Sequence, residues 1–326
     1  HSLPGANLGH AFEWKQVMEK AYRKRTCYLA ATRSGQWLGI LPLVHMRGPL
    51  TGNRLVSLPF LDQAGILAAS PEAEAALLEA ATRFARESGA RGIDFRSQAS
   101  TEPGGSRGPE RATLVLPLLA SPDDLWKSFS PKVRNQVRKA EKEGLTTEAV
   151  EARGLDEFYP VFARNMRDLG SPVHARRFFE MVLEAFGTRA KLYVTRDGQK
   201  RAVGGAIALL FRDTVTVPWA SSLREAFPSC PNHSLYWKVL SRAVEEGARL
   251  FDFGRSHVDS GTYKFKTQWG AQPISLLWTS LDPLGRKEAQ KVYKPAEHQR
   301  LTSLWSRLPV WLASWLGPRV RRQLSN

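Results

Sequence analysis

Cysteine is nearly absent from this 326-residue sequence, which contains only Cys27 and Cys230. Two cysteines are too few for a disulfide framework or a cysteine-rich zinc site, and they favour a reducing compartment. No run of about 18 uncharged apolar residues occurs, so no segment is predicted to span a membrane. The spacings typical of His- or Cys-based metal sites, P-loops and dinucleotide-binding loops are also missing. The sequence therefore predicts neither a metal centre nor a tightly bound cofactor.

Acidic residues are scarce relative to basic ones, because 31 Asp and Glu stand against 47 Lys and Arg, a formal net charge of +16. This excess predicts an anionic partner: nucleic acid, a phosphorylated substrate or a membrane surface. The 42% of apolar and 10% of aromatic residues exclude a disordered chain. The start, His1-Ser2-Leu3, shows neither an initiator methionine nor a signal-peptide pattern. We interpret it as trimmed or tag-derived, and we expect a cytoplasmic protein.

The chain contains an internal duplication. Three segments recur in the same order, at offsets of 163, 159 and 158 residues: 32–36 with 195–199, 56–60 with 215–219, and 89–96 with 247–254. The first pair contains Ser-Gly or Asp-Gly, whose glycine adopts the positive φ that tight hairpins need. The last pair is a glycine that ends a helix, followed by a strand with an Asp-Phe pair. Each unit is predicted as helix, strand, turn, strand, strand, loop, helix and strand.

The longer elements agree with this pattern. Ser70-Pro71 predicts a capped helix start, and apolar residues at helical spacing predict another helix beginning near Asn232. Residues 38–44, 113–118 and 204–211 are predicted as strands. A Gly- and Pro-rich linker begins near residue 101. We predict an α/β (α+β) protein with a first unit at 1–118, a second unit at 119–284 and a basic amphipathic C-terminal extension at 285–326.

The second unit carries the stretches by which the chain resembles a known family. They are, in order, residues 131–142, 165–172, 232–238, 251–254 and 263–266. Together they are similar to the FemAB-like transferases, and most to the FemAB-related proteins found beside exosortase (PEP-CTERM) and exopolysaccharide genes. The resemblance covers most of residues 121–278 and, more loosely, the first unit. It implies two tandem units of the acetyltransferase-like (GNAT) fold, each a mixed sheet flanked by helices.

The resemblance also implies transfer of an acyl or aminoacyl group to an amine. Better-known FemAB members move an amino acid from aminoacyl-tRNA to the peptide of a lipid- or nucleotide-linked cell-wall (peptidoglycan) precursor. We therefore expect tRNA as a partner and a cell-envelope or exopolysaccharide precursor as the acceptor. The family's Phe-Lys pair, implicated in transfer, matches Phe265-Lys266, and Trp269-Gly270 follows where an aromatic-Gly pair is usual.

A basic helix is predicted at residues 131–142, with Ser130 as its cap and Gly144 at its end. Its positive side chains are Lys132, Arg134, Arg138, Lys139 and Lys142. One interpretation is an ordinary solvated helix face. The other is a phosphate-binding surface for tRNA or a diphosphate-linked acceptor, in which Arg134, Arg138 and Lys139 contact phosphates.

A polar loop follows the strand that contains Asp252-Phe253-Gly254. His257 and Asp259 in this loop are candidate bases, because the attacking amine must lose a proton as the tetrahedral adduct forms. Residues 264–266 are predicted as a strand, in which Lys266 stabilises the oxyanion or holds the donor's phosphate and Lys264 contributes to binding. The alternatives are an ordinary loop histidine and a surface salt bridge.

A second polar loop surrounds Gly170-Ser171-Pro172. Asn165, Arg167, Asp168 and His174 flank it and are candidates to line the acceptor cleft. Helix capping and turn formation account for the same residue types equally well.

A plain acetyl-CoA enzyme is the alternative to aminoacyl-tRNA use. Residues 201–206 superficially fit the pyrophosphate loop of acetyl-CoA enzymes, but that loop needs a helix N-terminus directly after it. Residues 207–211 are instead predicted as a strand, which argues against ordinary CoA binding. Cys27 and Cys230 are interpreted as buried or incidental thiols, although the place of Cys230 near a predicted helix start would lower its pKa.

The C-terminal 42 residues contain nine Lys or Arg and two Glu, a net charge of +7. Leucines and tryptophans recur there at helical spacing, including Trp305, Trp311 and Trp315, with a kink expected at Pro309 and an end at Gly317-Pro318. A Trp-rich face beside clustered Arg is typical of a helix in a membrane interface, here the inner face of the cell membrane. The alternative is a helix that docks on the protein itself or on a dimer partner. A non-catalytic adaptor at the membrane is a third hypothesis for the whole protein.

Overall fold

The computed structural model describes residues 3–49, 51–98, 111–288 and 295–324. The chain divides into unit 1, made of His1–Glu110, Ser275–Lys294 and Arg319–Asn326, and unit 2, made of Arg111–Ile274 and Pro295–Pro318. The boundary differs from the one predicted at residue 119, because the strand that begins at Arg111 pairs within unit 2. The C-terminal residues, expected as a separate extension, are divided between the two units. The predicted linker at residues 101–110 lies outside the described residues.

The helices and strands are as follows. The helices are α1 (Glu13–Tyr22), α2 (Pro71–Glu87), α3 (Pro122–Ser128), α4 (Pro131–Lys142), α5 (Leu155–Asp168), α6 (Arg176–Phe186), α7 (Pro231–Glu245), α8 (Gly261–Thr267), α9 (Pro295–Ser306) and α10 (Val310–Arg321). The strands are β1 (Arg25–Arg33), β2 (Gln36–Gly48), β3 (Gly52–Val56), β4 (Leu67–Ala68), β5 (Ile93–Gln98), β6 (Arg111–Pro117), β7 (Thr146–Val150), β8 (Ala190–Arg196), β9 (Ala202–Phe211), β10 (Thr214–Ser222), β11 (Leu250–His257) and β12 (Gln272–Leu281).

Unit 1 is a mixed sheet with the strand order β1-β2-β3-β5-β12, and β4 pairs with β2. β3 and β5 are parallel, whereas the other neighbouring strands are antiparallel. α2 covers this sheet because its apolar stripe, with Leu77 and Ala81, packs against the buried Leu41 of β2. Its start is the predicted one, since Ser70 Oγ accepts a hydrogen bond from the amide of Ala73.

Unit 2 is a mixed sheet with the strand order β6-β11-β10-β9-β8-β7. Here β10 and β11 are the parallel pair. α3, α4 and α7 contribute to one core with the sheet, centred on residues such as Val133, Leu235 and Phe251. Ser130 caps α4 by accepting from the amide of Val133, as predicted.

The duplication predicted from sequence is confirmed by the topology. Each unit contains a hairpin (β1–β2 or β8–β9), a third antiparallel strand (β3 or β10), a helix (α2 or α7), and a strand parallel to the third one (β5 or β11). The first hairpin turns at Ser34 and Gly35, whose φ values are 49° and 79°. The fold is therefore two tandem units of one α/β type.

Two local predictions were wrong. Residues 264–266 are not a strand but lie in α8, because Ser260 Oγ accepts from the amide of Tyr263 and starts a helical turn. α10 does not end at Gly317-Pro318 but continues to Arg321, with Gly317 buried in its packing surface. The kink expected at Pro309 is instead a break between two helices, since α9 ends at Ser306 and α10 begins at Val310. Within the described ranges, no helix combines the length and apolarity required to cross a bilayer.

Candidate active site in unit 2

The parallel strands β10 and β11 pair for only part of their length. Thr214–Thr216 of β10 pair with Leu250–Asp252 of β11. After these residues, β10 continues to pair with β9 and β11 continues to pair with β6. The pairing of β11 with β6 shifts at the same point, and Gly254 there has a φ of +74°. Glycine reaches this conformation without a steric penalty, which permits a bulge. Asp252 Oδ1 holds the bulge by accepting from the amide of Gly254 at 2.8 Å and from Thr113 Oγ1 at 2.5 Å.

α8 brings Lys266 to this bulge. The side chain is 7% exposed, and its Nζ donates hydrogen bonds to the carbonyl oxygens of Gly254 at 2.8 Å and Arg255 at 3.0 Å. A buried ammonium group needs such acceptors, because removing an uncompensated charge from water is very costly. The Nζ atom of Lys266 is therefore fixed where β11 leaves its partner.

Phe265, the residue before Lys266, belongs to a group of four aromatic rings. The ring of Phe265 is 5.1 Å from that of His233 and 5.4 Å from that of Tyr236, both on α7. His233 also stacks on Trp269 at 5.7 Å. We refer to His233, Tyr236, Phe265, Lys266 and Trp269 as the α8 cluster. Its rings pack on one another, and α8 carries both Phe265 of this group and Lys266.

His233 is electrically neutral in this cluster at neutral pH. Burial, and to a smaller extent the positive charge of Lys132, lowers the pKa of His233 from 6.5 to about 4. Among the described residues, neither His233 Nε2 nor Trp269 Nε1 has a hydrogen-bond partner, although both atoms are buried. Buried polar nitrogens are normally paired, so two such atoms in one cluster indicate a site whose polar partner comes from elsewhere.

The start of α7 is a poor cradle for a pyrophosphate. A helix normally leaves the amides of its first three residues unpaired for an anion. Here the first residue is Pro231, which has no N–H, and the amide of His233 donates to the carbonyl of Cys230 at 3.0 Å. Among the described residues, this leaves the amide of Asn232 as a donor for an anion at this helix start. Residues 202–211 form strand β9, as predicted, and no helix follows them directly.

Cys230 does not have the lowered pKa expected from its position. Burial is the largest influence and raises the pKa of its thiol, with Lys139 acting in the opposite direction. The thiol donates to Gln136 Oε1 of α4 at 2.6 Å. Cys230 therefore joins α4 to the start of α7 and is not poised as a nucleophile.

The basic face of α4, defined as Lys132, Arg134, Arg138, Lys139 and Lys142, lies beside α7. Lys132 acts electrostatically on His233 and Lys139 on Cys230, which places both lysines near the start of α7. Arg138 lies over the ring of Trp126 at 5.6 Å, and Trp126 in turn packs against Trp237 at 4.9 Å. Positive charge and aromatic rings thus adjoin the α8 cluster on one side.

The other predicted site residues are not members of the α8 cluster, but Asn165 is linked to it, because it bonds Ser221 and the adjacent Ser222 donates to Asn232, which precedes His233. His257 and Asp259 are exposed at the end of β11 and in the following turn, and Lys264 is exposed on α8. Asn165 donates to Ser221 Oγ at 2.9 Å. Arg167 pairs with Asp168 and donates to the carbonyl of Leu308.

His174 is buried and stacks on Phe178 at a ring distance of 4.3 Å, within a group of aromatic side chains. Sequence reasoning singled out Phe265 and Lys266 but missed His233. The only local signal was its place in the stretch 232–238 that contributes to the family resemblance.

Two further features were tested for chemistry. Among the described residues, no group of three His, Cys, Asp or Glu side chains is arranged to hold a metal ion. A shallow cavity is lined by Tyr193, Val239 and the ion-paired Lys191 and Glu246, toward the C-terminal end of α7. None of its lining residues belongs to the α8 cluster, which remains the candidate site.

Comparisons with known proteins agree with this architecture. A family model of the acetyltransferase (GNAT) domain, Acetyltransf_6, matches residues 127–267. FemX is similar over 84% of this chain and 91% of its own, with 18% identity and a TM-score of 0.66. L-PGS from Bacillus licheniformis is similar over 91% and 97%, with 13% identity and a TM-score of 0.54. A tandem GNAT protein from the clavulanic acid biosynthesis pathway is similar over 80% and 83%, with 13% identity and a TM-score of 0.52. The comparison with curated proteins gave no match.

The chain thus has the tandem GNAT fold, and the FemAB-like resemblance fits both the GNAT-domain match and the similarity to FemX. The GNAT domain includes α4, α7 and all of α8, and so every member of the α8 cluster except Trp269. These findings support an acyltransferase whose donor is either an acyl-CoA or an aminoacyl compound.

Proposed function

We propose that the protein is a FemAB-like aminoacyltransferase, which moves an aminoacyl group from aminoacyl-tRNA to an amine of a cell-envelope or exopolysaccharide precursor. The observation that carries the proposal is the buried ammonium of Lys266, held by two carbonyl oxygens at the bulge of β11. Acyl transfer develops negative charge on the carbonyl oxygen of the donor, and a nearby fixed positive charge lowers the energy of that state.

The reaction replaces an ester by an amide. The acceptor amine attacks the ester carbonyl, a C–N bond forms, and the C–O bond to the ribose of the tRNA breaks. One proton leaves the amine and one proton is taken up by the ribose oxygen. His233 is neutral at pH 7, so its unpaired ring nitrogen accepts a hydrogen bond from the incoming amine. Phe265 and Trp269 limit the access of water, which would otherwise hydrolyse the ester.

The surroundings of the α8 cluster favour a tRNA donor over a CoA donor. At the start of α7, Pro231 has no N–H and the amide of His233 is already hydrogen-bonded. Fewer backbone amides are therefore available to bind a pyrophosphate. The basic face of α4 lies beside this point and suits a longer phosphate backbone, whose contacts come mainly from Lys and Arg side chains. Arg138 with Trp126 adds the kind of cation–aromatic surface on which unpaired bases stack.

The second candidate is an acyl-CoA-dependent N-acyltransferase. It is favoured by one specific observation, the match of residues 127–267 to the acetyltransferase domain. In that case the α8 cluster performs the same transfer to an amine, with a thiolate instead of a ribose oxygen as the leaving group.

The acceptor is proposed from the family resemblance and from the neighbours' names. FemAB members act on cell-wall precursors, and L-PGS is the short form for a lysylphosphatidylglycerol synthetase, a name that describes an aminoacylated lipid. Phosphatidylglycerol carries hydroxyl groups and no amine, so the neighbours' names support only a lipid and the family resemblance supplies the amine. A lipid-linked precursor with a free amine is the first acceptor class to test.

A donor screen with one substitution tests both candidates. The protein is incubated with charged tRNA or with acetyl-CoA and an amine acceptor, and products are identified by mass spectrometry. Lys266→Met is expected to lower the transfer rate roughly 10²- to 10³-fold, since it removes the charge but keeps the length of the side chain. Lys20→Met, at an exposed position of α1, is the matched control.

Each outcome has a distinct meaning. Wild-type transfer by Lys266→Met, with the variant correctly folded, contradicts the role of the ammonium. Product formed from acetyl-CoA but not from charged tRNA replaces the first candidate by the second. Binding of both donors without any transfer favours the non-catalytic adaptor.

A further inference from the structure

α9 and α10 carry large apolar side chains on a solvent-exposed surface. Leu301 and Leu304 of α9 are 67% and 63% exposed, and Trp311 and Trp315 of α10 are 71% and 55% exposed. We call Trp311 and Trp315 the tryptophan face. Trp311 and Trp315 are four residues apart and thus lie on one side of α10. Single exposed apolar residues are common on proteins, but neighbouring groups of them indicate an interaction surface.

The docking of α10 within unit 2 uses the opposite side of the helix. Ala313 is 2% exposed, and a Cβ atom on Gly317 would lie 2.8 Å from Val173 Cγ1. α9 is close to Gly170 in the same way, since a Cβ there would lie 2.6 Å from Thr302 Cβ. Small residues therefore make the close contacts, and the large apolar residues remain outside. Docking on the protein itself uses Ala313 and Gly317 and leaves Trp311 and Trp315 largely exposed.

Trp305, which the sequence predicted for the same surface, differs from the other two tryptophans. It is only partly exposed, and its Nε1 atom is buried without a hydrogen-bond partner among the described residues. The tryptophan face therefore excludes Trp305.

Positive charge accompanies the tryptophan face. Residues 295–324 contain five Arg and one Glu, and Arg307, Arg319 and Arg322 are exposed. Apolar aromatic side chains beside arginines match the boundary between acyl chains and anionic head groups.

We propose that the tryptophan face lies in the interface of an anionic lipid bilayer, with Trp311 and Trp315 at the acyl boundary and the arginines on the phosphate head groups. The inference is independent of the transfer reaction, because none of these residues belongs to the α8 cluster. It places the protein where a lipid-linked amine is available.

Vesicle flotation tests this surface. The full chain is mixed with vesicles of phosphatidylglycerol and phosphatidylcholine, or of phosphatidylcholine alone. Wild type is expected to float with the anionic vesicles, and less so at high salt. The double substitution Trp311→Ser with Trp315→Ser is expected to weaken partitioning roughly tenfold or more. Trp37→Ser is the matched control, since Trp37 is 66% exposed but lies on β2.

Point substitutions are used instead of truncation, because truncation would also remove the contact of Gly317 with Val173. Thermal melts verify that the variants fold. Equal flotation of the double variant and wild type overturns the inference. So does a wild-type protein that does not float with anionic vesicles. A dimer that the double variant loses, without any vesicle binding, also overturns it and assigns the face to a second copy of the chain. Vesicle binding without transfer refutes only the proposed function.

Discussion

Acidification is expected to destabilise the protein through His233. The pKa of this histidine is about 4 in the folded protein, against 6.5 in the absence of burial and of Lys132. Between these two values the unfolded chain binds a proton that the folded chain does not. The stabilisation from a neutral His233 is therefore complete above pH 6.5 and is lost as the pH falls toward 4. At about 1.4 kcal/mol for each pKa unit, the whole effect is about 3 kcal/mol, and about 2 kcal/mol of it is lost by pH 5.

The effect is measured by urea unfolding at about pH 7.5 and about pH 5. His233→Gln removes the titrating group but keeps a polar side chain. Its free energy of unfolding is expected to fall by about 2 kcal/mol less than that of wild type between the two conditions. His257→Gln, at the exposed end of β11, is the control for loss of an imidazole. Lys132→Met is expected to raise the pKa of His233, and so to reduce slightly the stability that is lost on acidification. If His233→Gln loses as much stability as wild type, the burial argument is refuted.

Two glycine substitutions test the backbone geometry at the site and at the C-terminal helices. Gly254→Ala is expected to cost about 1–2 kcal/mol, because its φ is +74° and the new Cβ would lie 3.3 Å from the carbonyl oxygen of Val217. Gly198→Ala, where a Cβ meets nothing within 4 Å, is its control in denaturant melts, and equal losses would contradict the bulge. Gly317→Ala is expected to cost about 1–3 kcal/mol through the close approach of Val173. Helix propensity alone favours alanine by about 1 kcal/mol, so a more stable variant would contradict that packing.

Local features of the fold were predictable because they depend on a few neighbouring residues. Ser70-Pro71 and Ser130-Pro131 begin helices, as their capping chemistry requires. The Ser34-Gly35 turn joins β1 to β2. Where one local pattern fitted two structures, the prediction failed. Residues 263–266 alternate like a strand, but the cap at Ser260 makes them helical.

Pairings between distant segments were not predictable in the same way. β12 follows the GNAT domain along the chain yet pairs with β5 of unit 1, and β6 follows unit 1 along the chain yet pairs with β11 of unit 2. No local propensity encodes such partners, because strand pairing is decided by burial and register across the whole sheet. The domain limits predicted at residues 118 and 284 therefore differ from the structural units.

For the candidate site, residue types and their order along the chain were enough to single out Phe265, Lys266 and the basic face of α4. What Lys266 contacts, and that His233 is buried and neutral against Phe265 and Trp269, depended on the packing of α7, α8 and the bulge of β11. The same holds for α10, whose composition predicted an amphipathic surface but not which side docks. The sequence gives the charge and apolarity of each residue. The desolvation of a group and the direction of its side chain depend on which separate segments pack together in the fold.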